Sequence, residues 1–165
     1  MTVEITTATP ADIPVLFELV QALAEYEKLT HEVTGTPEAL AESLFGPRPY
    51  AEALVARVEA ESETRGVGFA LFFHNFSTFL MQPGLYLEDL FVLPDYRGLG
   101  IGKALLQRLG QLAVERNCGR LEWMVLDWNE PAIQFYKRMG AQLKTEWQLC
   151  RVTGEALETL ASQAP

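Results

Sequence analysis

Two adjacent carboxylates, Glu88 and Asp89, lie in the apolar run LYLEDLFVL at 85–93, and the loop Arg97-Gly98-Leu99-Gly100-Ile101-Gly102-Lys103 follows closely. Glycine at every second position removes side chains where the backbone enters a helix. N–H groups over 99–104 can then converge on one anion. The positive end of the helix dipole and the charges of Arg97 and Lys103 add to that field, which suits a phosphorylated ligand. The carboxylates suit the opposite partner, a cation that one of them can also relieve of a proton.

Three phosphate-binding patterns compete for the loop. A Walker A loop needs a glycine where Arg97 stands and a hydroxyl residue where Ala104 stands, so it fails. A dinucleotide fingerprint starting at Gly98 meets Lys103 instead of its last glycine, although Glu122 falls near the place of a ribose-binding acid. The third pattern, R-G-x-G-[IL]-G after an apolar strand, is matched by Arg97 to Gly102 without a gap and resembles the acetyl-CoA loop of the GNAT N-acetyltransferases. An ordinary strand-to-helix turn remains the plain alternative, and three alternating glycines between two cations argue against it.

The strings YLEDLFV at 86–92, DYRGLGIGK at 95–103 and WNEPAIQFYKRMGA at 128–141 resemble the branch of that superfamily holding diamine (spermidine/spermine) and thialysine acetyltransferases. The likeness extends more loosely from EYE at 25–27 through GFALFF at 68–73. It implies transfer of acetyl from acetyl-CoA to a primary amine by direct attack, without a metal. Tyr136 then corresponds to the proton donor for the departing sulfur. A phenol of pKa about 10 can protonate a thiolate whose thiol lies near about 8.5 at small cost. By periodicity alone, Tyr136 would instead join Ile133 and Met139 in a core stripe.

The resemblance further implies that Glu88 accepts the amine's proton and that Tyr26, Glu27, Glu88, Asp89 and Glu146 line the amine side. Leu90, Phe91 and Val92 would hold the cofactor arm and acetyl carbonyl by main-chain groups, with Asn129, Pro131 and Ala132 at the arm's other end. Arg97, Gly98, Leu99, Gly100, Ile101, Gly102 and Lys103 would take the diphosphate. Neighbours on a regular strand face opposite ways, so Glu88 and Asp89 can share one cleft only across a bulge or splay, which we expect here. Polyamine is the leading substrate class and a thialysine-like amino acid the next. Acetylation of protein lysine or N-terminal amines, and a non-catalytic acyl-CoA sensor, are the rivals.

The elements that must position these groups can be read in order. Val3–Thr7 reads as a strand, and Thr9, Pro10 and Asp12 open a helix whose apolar face is Ile13, Leu16, Phe17, Val20, Leu23 and Ala24. A second helix is expected over Pro37–Leu44, then strands over Ala53–Val58 and Val67–Phe73 joined by an acidic turn around Glu59–Gly66. His74–Gly84, with Asn75, Ser77, Pro83 and Gly84, reads as a loop beside a cleft. Leu121–Leu126 reads as a strand and Glu130–Met139 as a helix capped by Asn129 and ended by Gly140. Ala141–Val152 reads as two final strands and Glu155–Ala161 as a short helix. The order predicts an α/β (α+β) fold, a GNAT-type mixed, mostly antiparallel sheet with helices on both faces and a splayed cofactor cleft, in one domain over 1–165.

At 165 residues with net charge −9, the chain suits one substantial core and disfavours nucleic acid. Cys118, Cys150, His31 and His74 lack metal-ligand spacing, and both cysteines read as apolar filler. The start MTVEITTATP carries no basic-then-apolar leader, and no apolar run reaches about 18 residues, so a cytoplasmic protein with no membrane partner is expected. The family resemblance implies a homodimer, with Phe72–Leu80 and the C-terminal strands as candidate surface.

Overall fold

A computed structural model describes residues 2–60 and 63–163. The chain separates into two units, Met1–Leu126 and Asp127–Pro165. The first holds a five-stranded sheet in the order β1-β2-β3-β4-β5. These are β1 (Thr2–Thr7), β2 (Glu52–Ala60), β3 (Glu63–Ser77), β4 (Gln82–Val92) and β5 (Leu121–Trp123). Every pairing is antiparallel except β4 with β5. The helices of this unit are α1 (Ile13–Glu27), α2 (Pro37–Phe45) and α3 (Ile101–Glu115). The antiparallel order excludes a doubly wound parallel sheet and with it the dinucleotide reading.

α1 follows a 3-10 turn, Pro10–Asp12, in which Asp12 accepts from the Thr9 N–H at 2.8 Å, as the capping residues predict. Ile13, Leu16, Leu19 and Leu23 pack with Leu44 of α2 and with Ala53, Val55, Phe69 and Phe91 on one sheet face. Leu19 replaces the predicted Phe17 at the centre of this stripe, with Phe17 half-buried. α3 presents Ile101, Leu105, Leu106, Leu109 and Leu112 inward. It ends where Asn117 turns left-handed (φ 54) and the Cys118 N–H reaches the Ala113 carbonyl at 2.8 Å.

Asp12 is only 8% exposed and is paired with Arg57, which also donates to Thr6. Burial raises its pKa, but bonds from the Thr9 N–H and Arg57 outweigh that, so the carboxyl titrates below its ordinary range. A depressed carboxylate adds stability above its unfolded pKa of about 3.9, lost as pH falls through the folded value. Arg57→Leu leaves that charge buried and should cost about 3 kcal/mol at pH 7, with a smaller deficit at pH 3. Urea denaturation at the two pH values measures it.

Three expectations need correction. Residues 74–84 are not a loop: β3 and β4 form one long hairpin, with His74 opposite Leu85 and Asn75 opposite Gly84, turning only at 78–81. A continuous ladder outweighed the breaking tendency of Pro83 and Gly84. The strand expected to reach Leu126 stops at Trp123. Ala141–Val152 contains no strand, because alternating side chains make a strand only where a ladder partner lies alongside. The centre of the turn expected around Glu59–Gly66 lies outside the described residues, while Thr64–Gly66 already belong to β3.

The second unit carries α4 (Glu130–Arg138) and α5 (Gly154–Ser162). The Asn129 side chain caps α4 by accepting from the Ala132 N–H at 3.4 Å. No helix among the described residues is long and apolar enough to cross a membrane.

Candidate active site

The ladder between β3 and β4 slips by one residue. Leu71 faces Asp89 but Phe72 faces Leu87, leaving Glu88 without a partner. This is the expected bulge. Leu71 packs on the α1 cluster, so Asp89 and Phe91 face α1, whereas the buried Leu87 shares the opposite face with Phe72. Glu88 is exposed and Asp89 half-buried.

α1 ends at this place. Lys28 turns left-handed (φ 62), and the Leu29 N–H closes on the Ala24 carbonyl at 2.8 Å, so Tyr26 and Glu27 sit in the last turn. The Tyr26 ring lies 6.3 Å from that of Phe91. Burial first, then the charges of Glu88 and Glu27, push the Asp89 carboxyl up to about 6. Burial also raises Glu27. The Tyr86 phenol is raised by burial and then by Glu88, Glu122 and Asp89. Its ring rests on Phe73 at 5.1 Å. Four expected amine-side residues, Tyr26, Glu27, Glu88 and Asp89, thus gather at one place. Tyr86, which the sequence reading passed over, stands among them. Its alternation with the buried Leu85 and Leu87 was the available signal. Glu122 is held by Arg120 at 2.7 Å and Asn75 at 3.2 Å.

β5 pairs with β4 only from Leu85 to Leu87. Beyond that, among the described residues, Asp89 to Val92 pair with β3 alone, which leaves the other edge of Leu90, Phe91 and Val92 without a strand. A 3-10 turn, Pro94–Tyr96, leads into the glycine loop. Gly98 (φ 78) and Gly100 (φ 80) both adopt the left-handed conformation that a side chain disfavours, with open space where a Cβ would stand. Gly100 caps α3 without a side chain, and the first turn carries Lys103 and no acid, unlike α2, α4 and α5. The Ala104 N–H is taken by the Gly100 carbonyl at 2.9 Å, so the anion-facing amides end at Lys103. This cradle fits a diphosphate.

In the second unit, Asn129 is 7% exposed and Pro131 and Ala132 form the first turn of α4. Tyr136 is half-buried, with its ring 5.3 Å from Phe135. Glu146 stands in exposed coil, where its own N–H and Lys144, at 3.1 Å, hold its pKa low. Among the described residues no His, Cys, Asp and Glu cluster has the makings of a metal site.

The profile of the acetyltransferase (GNAT) family matches residues 18–141. The chain is 39% identical to the thialysine N-epsilon-acetyltransferase of Bos taurus over 98% of each chain. It is 36% identical to an L-ornithine N5-acetyltransferase of Arabidopsis thaliana, over 93% of this chain and 85% of the other. An integron cassette protein of V. cholerae superposes with a TM-score of 0.79 at 28% identity, over 99% of both chains. These likenesses agree with the glycine cradle and the open strand edge: the chain belongs to the GNAT family and is an N-acetyltransferase.

Proposed function

We propose that the protein transfers acetyl from acetyl-CoA to the terminal amine of a small cationic substrate, a diamino acid or a polyamine. The observation that carries this reading is the gathering of Glu27, Glu88 and Asp89, where burial first and then the neighbouring charges lift Asp89 to about 6. Like charges held together, with no ion-pair partner among the described residues, favour a ligand that brings positive charge. The names of the relatives move a diamino acid ahead of polyamine.

Acetyl-CoA, when bound, supplies the activated acetyl thioester. In this reading the amides of Ile101, Gly102 and Lys103, with Gly98, Leu99 and Gly100 shaping the loop, hold its diphosphate. Main-chain groups of Leu90, Phe91 and Val92 at the open edge hold the arm, and an N–H there stabilises the charge that develops on the carbonyl oxygen. Asn129, Pro131, Ala132 and Glu146 enter by their motifs alone. Tyr26, Glu27, Glu88 and Asp89 receive the ammonium. Its pKa of about 10.4 must be overcome before the nitrogen attacks. Glu88 takes that proton by the motif, and Asp89 shares the task, because a carboxyl near about 6 accepts a proton more readily than an ordinary one. Tyr136 delivers a proton to the leaving thiolate.

The family match runs across the boundary between the two units, which supports one functional domain over 1–165. We place the enzyme in the cytoplasm as a homodimer. The exposed Phe76, Phe79, Leu80 and Met81 at the hairpin tip offer an apolar surface for pairing, whereas Phe72 is core.

Steady-state rates on thialysine, ornithine, spermidine and a lysine-rich peptide test the reading in the wild type and in Tyr136→Phe. Small diamines should outrun the peptide, and Tyr136→Phe should lower kcat about 100-fold with an altered alkaline limb. No turnover of any small amine at millimolar concentration overturns the reaction. An unchanged pH profile in Tyr136→Phe overturns the donor.

A further inference from the structure

Arg97 opens the glycine loop, yet its side chain is engaged with β4 and with two aromatic rings. Arg57, Arg108, Arg116 and Arg120 each pair with a carboxylate. Among the described residues no acid lies within ion-pair distance of Arg97. Its Nε instead donates to the Val92 carbonyl at 3.0 Å, on the stretch of β4 that β5 leaves uncovered. Its guanidinium carbon lies 4.5 Å from the centre of the Tyr26 ring and 5.5 Å from that of Phe91. One side chain therefore touches the end of β4 and the last turn of α1, while its own backbone leads straight into the left-handed Gly98.

We propose that Arg97 is a positioning residue: its guanidinium clamps Tyr26, and with it the turn carrying Glu27, against β4, coupling the diphosphate loop to the amine pocket. The proposal rests on the acetyl-transfer reading above. The last turn of α1 carries the amine-side residues, and a planar cation spread over the Tyr26 face adds to the hold that its left-handed cap and core packing already give that turn. With Nε on a carbonyl and one face on aromatic rings, the guanidinium adds its field to the loop but is not the diphosphate's main contact. Lysine has no planar fork to do both tasks at once.

The experiment is a double-mutant cycle on Arg97→Gln and Tyr26→Leu, with Arg97→Lys alongside, reading CoA affinity by calorimetry and amine KM with ornithine and spermidine. Arg97→Gln should raise amine KM about 10-fold and change CoA affinity less than about 3-fold. Tyr26→Leu should do the same, and the double variant should be no worse than Tyr26→Leu alone. Arg97→Lys should restore little. A tenfold loss of CoA affinity with amine KM unchanged would overturn the clamp, as would full additivity. The same cycle on the thermal midpoint with CoA bound reads the contact without turnover. Failure of acetyl transfer with non-additivity kept therefore sinks the reaction, while additivity there sinks the clamp.

Discussion

Gly100→Val should weaken CoA binding about 100-fold while leaving the sheet folded. Gly100 holds φ 80 and ψ 2 as the cap of α3, a conformation that costs a side chain about 1–2 kcal/mol and a β-branched one more. No neighbour would block the new side chain, so the harm comes from backbone shape and from a bulky group inside the cradle. If the loop relaxes and one or two charge-assisted N–H bonds are lost, about 3 kcal/mol of binding goes with them. Gly110→Ala is the control: Gly110 lies inside α3 with open space around it, and alanine there should add about 0.5–1 kcal/mol of stability without touching CoA affinity. Calorimetric titration of CoA into both variants decides the matter. Equal affinities would detach the cradle from the cofactor.

The second large effect is expected at Asp89. Asp89→Asn should reduce kcat/KM for the amine about 100-fold and at the same time make the enzyme more stable at pH 8. The folded pKa is raised, so between about 4 and about 6 the native state holds a proton that the unfolded chain has released, and stability falls as pH rises through that window. Above it the penalty is complete. About two pKa units corresponds to at most about 3 kcal/mol, and partial solvation brings the expected gain to about 1–2 kcal/mol. A bound ammonium should draw the carboxyl back down, so amine binding near pH 6 should release a fraction of a proton. Calorimetry in two buffers of different ionisation enthalpy reads that release. Proton uptake instead would remove Asp89 from the amine site.

Much of this arrangement was legible from local chemistry. Thr9 with Asp12 and Asn129 with Ala132 announce their helix starts because the cap lies three residues from its partner. The loop from Arg97 to Lys103 is legible because its glycines do something that few other residues can. The bulge at Glu88 was inferred from need rather than pattern, since two neighbouring carboxylates cannot otherwise serve one cleft. What failed depended on distant partners. Pro83 and Gly84 look like breakers until β3 is laid beside them, and Ala141–Val152 alternates like a strand with nothing shown alongside. The stacking of Arg97 on Tyr26 joins residues far apart along the first unit and left no sequence trace.

The slip at Glu88 also sets a rule for altering this enzyme. Side chains along β4 obey a parity, and one supernumerary residue inverts it for everything downstream. Exchanging the side chain at 88 changes only what the cleft meets, but excising that codon would straighten β4 into regular register, leaving Asp89 opposite Leu71 and taking both the bulge and its carboxylate out of the cleft. Libraries meant to retune amine selectivity should therefore vary letters at this point and never their count.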